Sequence, residues 1–172
     1  VHLWLHQNTE VEGKKIKTLK NGKSEFMGEV RQMLPPFMLD GRNTAEMLIS
    51  NMDYAQVSAA IVTQEYIDGI QNQYLMEIQQ KYPDRFLCCG MFDARKPGYC
   101  LHAEKLINQG FKAIKIPANR LVSDEMKILL TDQEMMTVFK LMEKYGIILS
   151  IDLADGADQV GEMNEIIAEF PD

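Results

Sequence analysis

Six side chains in this sequence stand where they could do chemistry: His2, Trp4, Gln64, Asp93, Lys115 and Asp152. Each lies in or at the end of a short apolar run. His2 and Trp4 share one face of Val1-His2-Leu3-Trp4, Gln64 ends Ser58–Gln64, and Asp93 ends Phe86–Asp93. Lys115 lies in Phe111–Ile116, and Asp152 ends Ile147–Asp152. A histidine where a buried strand meets a loop can present its imidazole to a metal or a substrate. Histidine with aspartate suits a borderline cation such as zinc or manganese, which lowers the pKa of bound water toward about 7. Asp152 or Asp93 could bind that metal or act as the base. A lysine beside them holds the pair ionised or steadies a substrate carboxylate. The plainer alternatives are a partly buried structural histidine at position 2 and a structural ion pair between Lys115 and Asp152.

The elements that must position these groups follow from periodicity. Asn43 or Thr44 can cap a helix with Ala45, Leu48, Ile49 and Met52 at helical spacing. Helices are also expected from Gly69 to Tyr82, from Tyr99 to Gly110, over 131–145 with Met135, Val138, Phe139 and Met142 on one stripe, and over 157–170. Strands alternate with them. This order implies right-handed βαβ units and a parallel sheet, either doubly wound or a barrel. No glycine-rich phosphate fingerprint follows any strand, which weakens the nucleotide-binding version. Within the strands, parity puts Ile147, Leu149 and Ile151 on one aliphatic face and Ile148, Ser150 and Asp152 on the other. The same rule groups Lys115 with Phe111 and Ala113, Gln64 with Ala60 and Val62, and Asp93 with Cys89 and Met91. Turned inward, His2, Gln64, Asp93, Lys115 and Asp152 meet at the C-terminal strand ends, where active sites of parallel α/β folds sit. His6 is expected at the start of a loop, and His102 on an outer helix face.

Residues 1–172 read as one domain, with Leu5–Asn43 a long inserted loop that could cover the site. Inside it, Lys20-Asn21-Gly22 between two short runs signals a hairpin, and Met33–Leu39 reads as an extended apolar arm. The chain is 46% hydrophobic and acidic, with 18 Lys+Arg against 25 Asp+Glu, formally -7. That balance argues against nucleic acid and anionic membrane as partners. No apolar run approaches the roughly 20 residues of a bilayer span, and no signal peptide is evident. Three cysteines without a spacing pattern point to reduced thiols and a cytoplasmic setting.

Val1–Trp4, Val62-Thr63-Gln64, Tyr82–Phe86, Gly90–Asp93, Gly110–Lys115 and Glu169–Asp172 together resemble the amidohydrolase superfamily. The nearer likeness is to its amidohydrolase-2 group of metal-dependent TIM-barrel hydrolases, which includes lactone hydrolases and, more distantly, decarboxylases. The resemblance implies a (β/α)₈ TIM-barrel type of which about five βα units are present here. Val1-His2 matches the tail of the family's opening Asp-x-His-x-His, so His2 would be its second histidine. The family's strand-five histidine is replaced by Asp152, as in the lactonase-like branch. A barrel of this type needs about 250 residues, so a fragment, or a half-barrel that pairs with something, is expected. The function implied is hydrolysis of a lactone or amide bond in a small molecule by activated water. His2 and Asp152 would be metal ligands, Asp152 and Lys115 catalytic, and Trp4, Gln64 and Asp93 would contact substrate. The cofactor implied is a divalent metal, zinc first, with manganese or none as alternatives. A homo-oligomer is allowed. The competing readings are a metal-dependent decarboxylase on the same fold and a non-catalytic half-barrel that binds or regulates.

Overall fold

The computed structural model describes residues 1–5, 8–11, 14–26, 28–123, 127–154 and 157–171, so His6 lies outside the described residues. The chain forms two compact units, Val1–Cys88 and Cys89–Asp172.

In the first unit, the long insertion is a four-stranded antiparallel meander rather than a lone hairpin: β1 (Asn8–Val11), β2 (Lys14–Thr18), β3 (Lys23–Phe26) and β4 (Glu29–Gln32), in that order. The expected hairpin is its centre. Asn21 and Gly22 both take positive φ, 58° and 71°, as a two-residue turn of the twist-matched type demands. A Cβ on Gly22 would come 2.3 Å from the Leu34 carbonyl oxygen, so the turn tolerates no side chain there. The Met33–Leu39 arm folds back on this turn. Gly22 N–H donates to the Met38 carbonyl, and the Gly22 carbonyl accepts from the N–H groups of Met33 and Leu34. The arm is only partly buried: Met38 is enclosed, while Phe37 and Leu39 are exposed.

Thr44 then caps α1 (Ala45–Tyr54), its hydroxyl accepting from the Met47 N–H. β5 is shorter than its apolar run, Ala60–Val62, because Thr63 bridges His2 in parallel instead of continuing the ladder. A single 3₁₀ turn, Tyr66–Asp68, closes on Gly69, so α2 starts at Asn72 and ends at Lys81. β6 spans Phe86–Met91, and its first half pairs in parallel with β5.

In the second unit, the later half of β6 pairs in parallel with β7 (Ala113–Ile116), and β7 pairs in parallel with β8 (Ile148–Ile151). The helices α3 (Tyr99–Gln109), α4 (Gln133–Tyr145) and α5 (Ala157–Glu169) alternate with these strands. The α4 stripe is buried as spaced: Met135, Val138, Phe139 and Met142 are all enclosed. Each such side chain contributes on the order of 1.5–3 kcal/mol of burial. Gly146 ends α4 in the left-handed conformation, which frees the chain to enter β8. Of the parallel strands β6, β7 and β8, β8 is the least covered, with Ile148 largely exposed, because no further strand among the described residues flanks it. His102 is exposed on α3. No helix among the described residues is long and apolar enough to cross a membrane.

Candidate functional site

The first unit holds His2. Its strand tip is fixed from both sides by backbone bonds. Thr63 N–H donates to the Val1 carbonyl at 2.8 Å, and Trp4 exchanges N–H and carbonyl with Asn43 at 3.0 and 3.1 Å. The Asn43 amide donates to the His2 carbonyl at 2.6 Å. The His2 ring is thereby aimed at the 3₁₀ turn after β5, where its Nδ1 lies 3.0 Å from Asp68 Oδ2. Asp68 is nearly enclosed, while the His2 side chain is 37% exposed. A carboxylate accepting from Nδ1–H fixes the tautomer and leaves the Nε2 lone pair available, the usual arrangement behind a metal-bound or basic histidine. Sequence reading overlooked Asp68, since a single 3₁₀ turn has no periodicity to betray it. The other two residues of this unit are committed elsewhere. Trp4 is buried, its indole N–H donating to the Gly41 carbonyl at 2.9 Å. Gln64 is also buried. Its amide donates to Asn72 Oδ1 at 2.8 Å and accepts the Gln71 N–H at 2.6 Å, so it holds the start of α2.

The second unit holds the other three. Lys115, in β7, is flanked in register by Met91 of β6 and Ser150 of β8. It is only 4% exposed, and its Nζ makes an ion pair with Asp152 Oδ2. The Asp152 side chain is 46% exposed. An enclosed ammonium therefore holds a carboxylate whose other face meets solvent. Strand parity anticipated this pair. The backbone of Asp152 is tied to the end of β7: its N–H donates to Ile116, and its carbonyl accepts from Asn119 N–H at 2.8 Å. Cys89, on the inward face of β6, has its thiol pushed up by burial, and the nearby Lys115 charge opposes that only in part.

Asp93, past the end of β6, is clasped by Arg95: Nε to Oδ1 at 2.7 Å and a terminal nitrogen to Oδ2 at 3.0 Å, with Lys96 at 3.8 Å. Burial pushes the Asp93 carboxyl up, but the hydrogen bonds and charge of Arg95, helped by Lys96, prevail and hold it below the usual carboxylate range. Arg95 was not singled out in the sequence, although it lies two residues from Asp93. Gln159, at the start of α5, is buried and bridges the loops that follow β7 and β8. It donates to the Ala118 carbonyl at 2.9 Å and accepts from the Ala154 N–H.

The donor set for a cation is limited. Among the described residues, no three His, Cys, Asp or Glu side chains group closely enough to hold a metal ion. His2 backed by Asp68 is suited to a single ligand position, and Asp152 is engaged by Lys115.

No protein-family model matches the sequence, and no curated protein matches it. Solved structures do share the fold. A probable 2-pyrone-4,6-dicarboxylic acid hydrolase from Acinetobacter baumannii superposes with a TM-score of 0.51 at 15% identity, covering 78% of this chain and 46% of that one. The 5-carboxyvanillate decarboxylase of Sphingomonas paucimobilis gives 0.58 at 13% identity over 76% of this chain and 50% of that one. The 4-oxalomesaconate hydratase of Rhodopseudomonas palustris gives 0.56 at 19% identity over 73% and 45%. These are TIM-barrel enzymes of the amidohydrolase-2 kind, so the α/β architecture here is of the TIM (β/α)₈-barrel type that the sequence resemblance implied. The likeness at these identities is one of fold. The chain spans about half the length of the structures it matches.

Proposed function

We propose that this chain is part of a hydrolase that opens a lactone or amide bond in a small, carboxylate-bearing molecule with activated water. The observation that carries this reading is the Lys115–Asp152 pair: an enclosed ammonium beside a half-exposed carboxylate at neighbouring parallel strand ends. Lys115 sets its ammonium against the Asp152 carboxylate and fixes where that carboxylate sits. Asp152 then takes a proton from water as that water attacks the acyl carbon, and returns it to the leaving oxygen or nitrogen. Arg95, oriented by Asp93, and Lys96 offer cationic donors to a substrate carboxylate. The hydrolase and the decarboxylase that share this fold are each described by a carboxylated compound, which supports that substrate class.

We place a divalent cation, zinc ahead of manganese, at His2, with Asp68 orienting the ring. When bound, such an ion would supply Lewis acidity, but further donors would be needed to hold it. Stoichiometric zinc or manganese by elemental analysis that is lost in His2→Ala would support that placement; equal metal in both forms would remove it. Cys88, Cys89 and Cys100 form no disulfide, which suits a cytoplasmic setting.

A second reading, decarboxylation, is favoured by one observation: the 5-carboxyvanillate decarboxylase superposes with a TM-score of 0.58. A panel of pyrone and lactone carboxylates set against carboxylated phenols separates the two. Acid release from the lactones, lost in Asp152→Asn, is the expected result. Carbon dioxide release from the phenols with no lactone opening would replace hydrolysis by decarboxylation. No turnover of either class would leave a binding or regulatory protein.

A further inference from the structure

We propose that the outer edge of β4 is a self-association surface on which a second copy of this chain pairs antiparallel, centred on Val30. β4 is the end strand of the meander, and all four of its residues are exposed. Its inner edge pairs with β3, Glu25 opposite Val30 and Ser24 opposite Arg31. Among the described residues, no strand pairs with its outer edge. An edge strand directs the N–H and carbonyl groups of alternate residues outward, a template for another strand.

The side chains select the partner. Val30 is 61% exposed and lies between two opposite charges, Glu29 and Arg31. When two copies of Glu29–Gln32 run antiparallel with Val30 facing its own counterpart, Glu29 of each copy faces Arg31 of the other. Two-fold symmetry makes that pair twice, and opposite charges directly across a ladder are stabilising. Sliding the pairing two places one way sets Glu29 against Glu29; sliding it the other way sets Arg31 against Arg31. The charge pattern therefore favours one register and the strand's own copy.

Glu29 and Arg31 already share a face within the chain, Arg31 donating to Glu29 Oε2 at 2.8 and 3.1 Å. That pair is more than half exposed on both sides and contributes little, so exchanging it for the cross-copy partner costs little. Met33, directly after β4, and Phe37 on the arm are exposed apolar side chains in the same insertion. A pairing over so short an edge falls among the small interfaces, below about 1,200 Å², so it is concentration-dependent.

Sedimentation of the full chain over a concentration series tests the pairing, using Glu29→Arg and Arg31→Glu and their equimolar mixture. The wild type is expected to dimerise with rising concentration. Each variant alone is expected to stay monomeric, because each sets like charges opposite one another. Their mixture is expected to dimerise, because one copy then presents two acids and the other two guanidinium groups. The in-chain pair is broken in both variants and mixing cannot restore it, so recovery in the mixture reports the cross-copy contact alone. A monomeric wild type at every concentration overturns the proposal. So does a dimer that persists in both single variants, or a mixture that stays monomeric where the wild type associates.

Discussion

Replacing Asp152 by Ala removes the carboxylate that pairs with the enclosed Lys115 ammonium, and the size of the loss follows from exposure. Breaking a fully enclosed ion pair by removing one partner costs about 3–5 kcal/mol, since the remaining charge is left desolvated. Lys115 meets that condition at 4% exposed, but the Asp152 side chain is 46% exposed, so water can enter where the carboxylate was. The expected cost is about 2 kcal/mol, between the buried and surface limits. Lys115→Met removes the charge that needs a partner and leaves Asp152 to hydrate, at a cost of about 1 kcal/mol or less. In the double variant, the Asp152 change should then cost close to nothing. The coupling is therefore about 2 kcal/mol, or a difference of about 4–8 °C in melting temperature for a chain of this size. Urea unfolding followed by far-ultraviolet circular dichroism measures all four forms; Trp4, the single tryptophan, lies in the other unit and reports it poorly. Additive losses, with Asp152→Ala costing as much beside Met as beside Lys115, would refute the buried-charge argument.

Acid should act on the same strand ends through Asp93. Its carboxyl is held below the ordinary value near 4, so its stabilising contribution is full above that value and is lost as pH falls toward the folded-state pKa. Arg95→Met leaves burial less opposed, so the slope of stability against pH below about 4 should flatten, while stability near neutrality falls; an unchanged acid slope would remove Arg95 as the cause. In the insertion, Gly22→Ala should destabilise the first unit by at least about 1–3 kcal/mol, from left-handed strain plus collision with the Leu34 and Pro35 carbonyls. Hydrogen exchange confined to the meander and arm would show it; an unperturbed hairpin would contradict the turn geometry. Gln159→Leu should loosen the loops after β7 and β8 together, seen as faster exchange at Asn119 and Ala154; faster exchange at only one of them would show that the side chain does not link the two loops.

Much of this fold is written in local signals. Thr44 caps where a hydroxyl precedes an amphipathic run, the α4 stripe is buried at its spacing, and Asn21-Gly22 turns the hairpin. The Lys115–Asp152 pair was legible because parity within two neighbouring strands is a rule of backbone geometry. Other features left no such trace. β4 exposes every residue, so it has no alternation to read. Asp68 reaches His2 across 66 positions from a single 3₁₀ turn, and Gln159 reaches Ala118 across 41. Contacts of that kind depend on tertiary closure, which a single sequence does not encode in any window. Gln64 shows the converse: its position at a strand end was readable, but the pairing of its amide with Asn72 and Gln71 was not.

The central claim is that water is activated at Asp152 and adds to an acyl carbon. The most direct test is turnover of a lactone carboxylate in ¹⁸O-labelled water, with mass analysis of the product acid, in the wild type and in Asp152→Asn. The account predicts one labelled oxygen in the new carboxylate per turnover, and a rate lower by roughly 10²-fold or more in the variant, the scale of a lost general base. Product without label, or equal labelled turnover by Asp152→Asn, would contradict it.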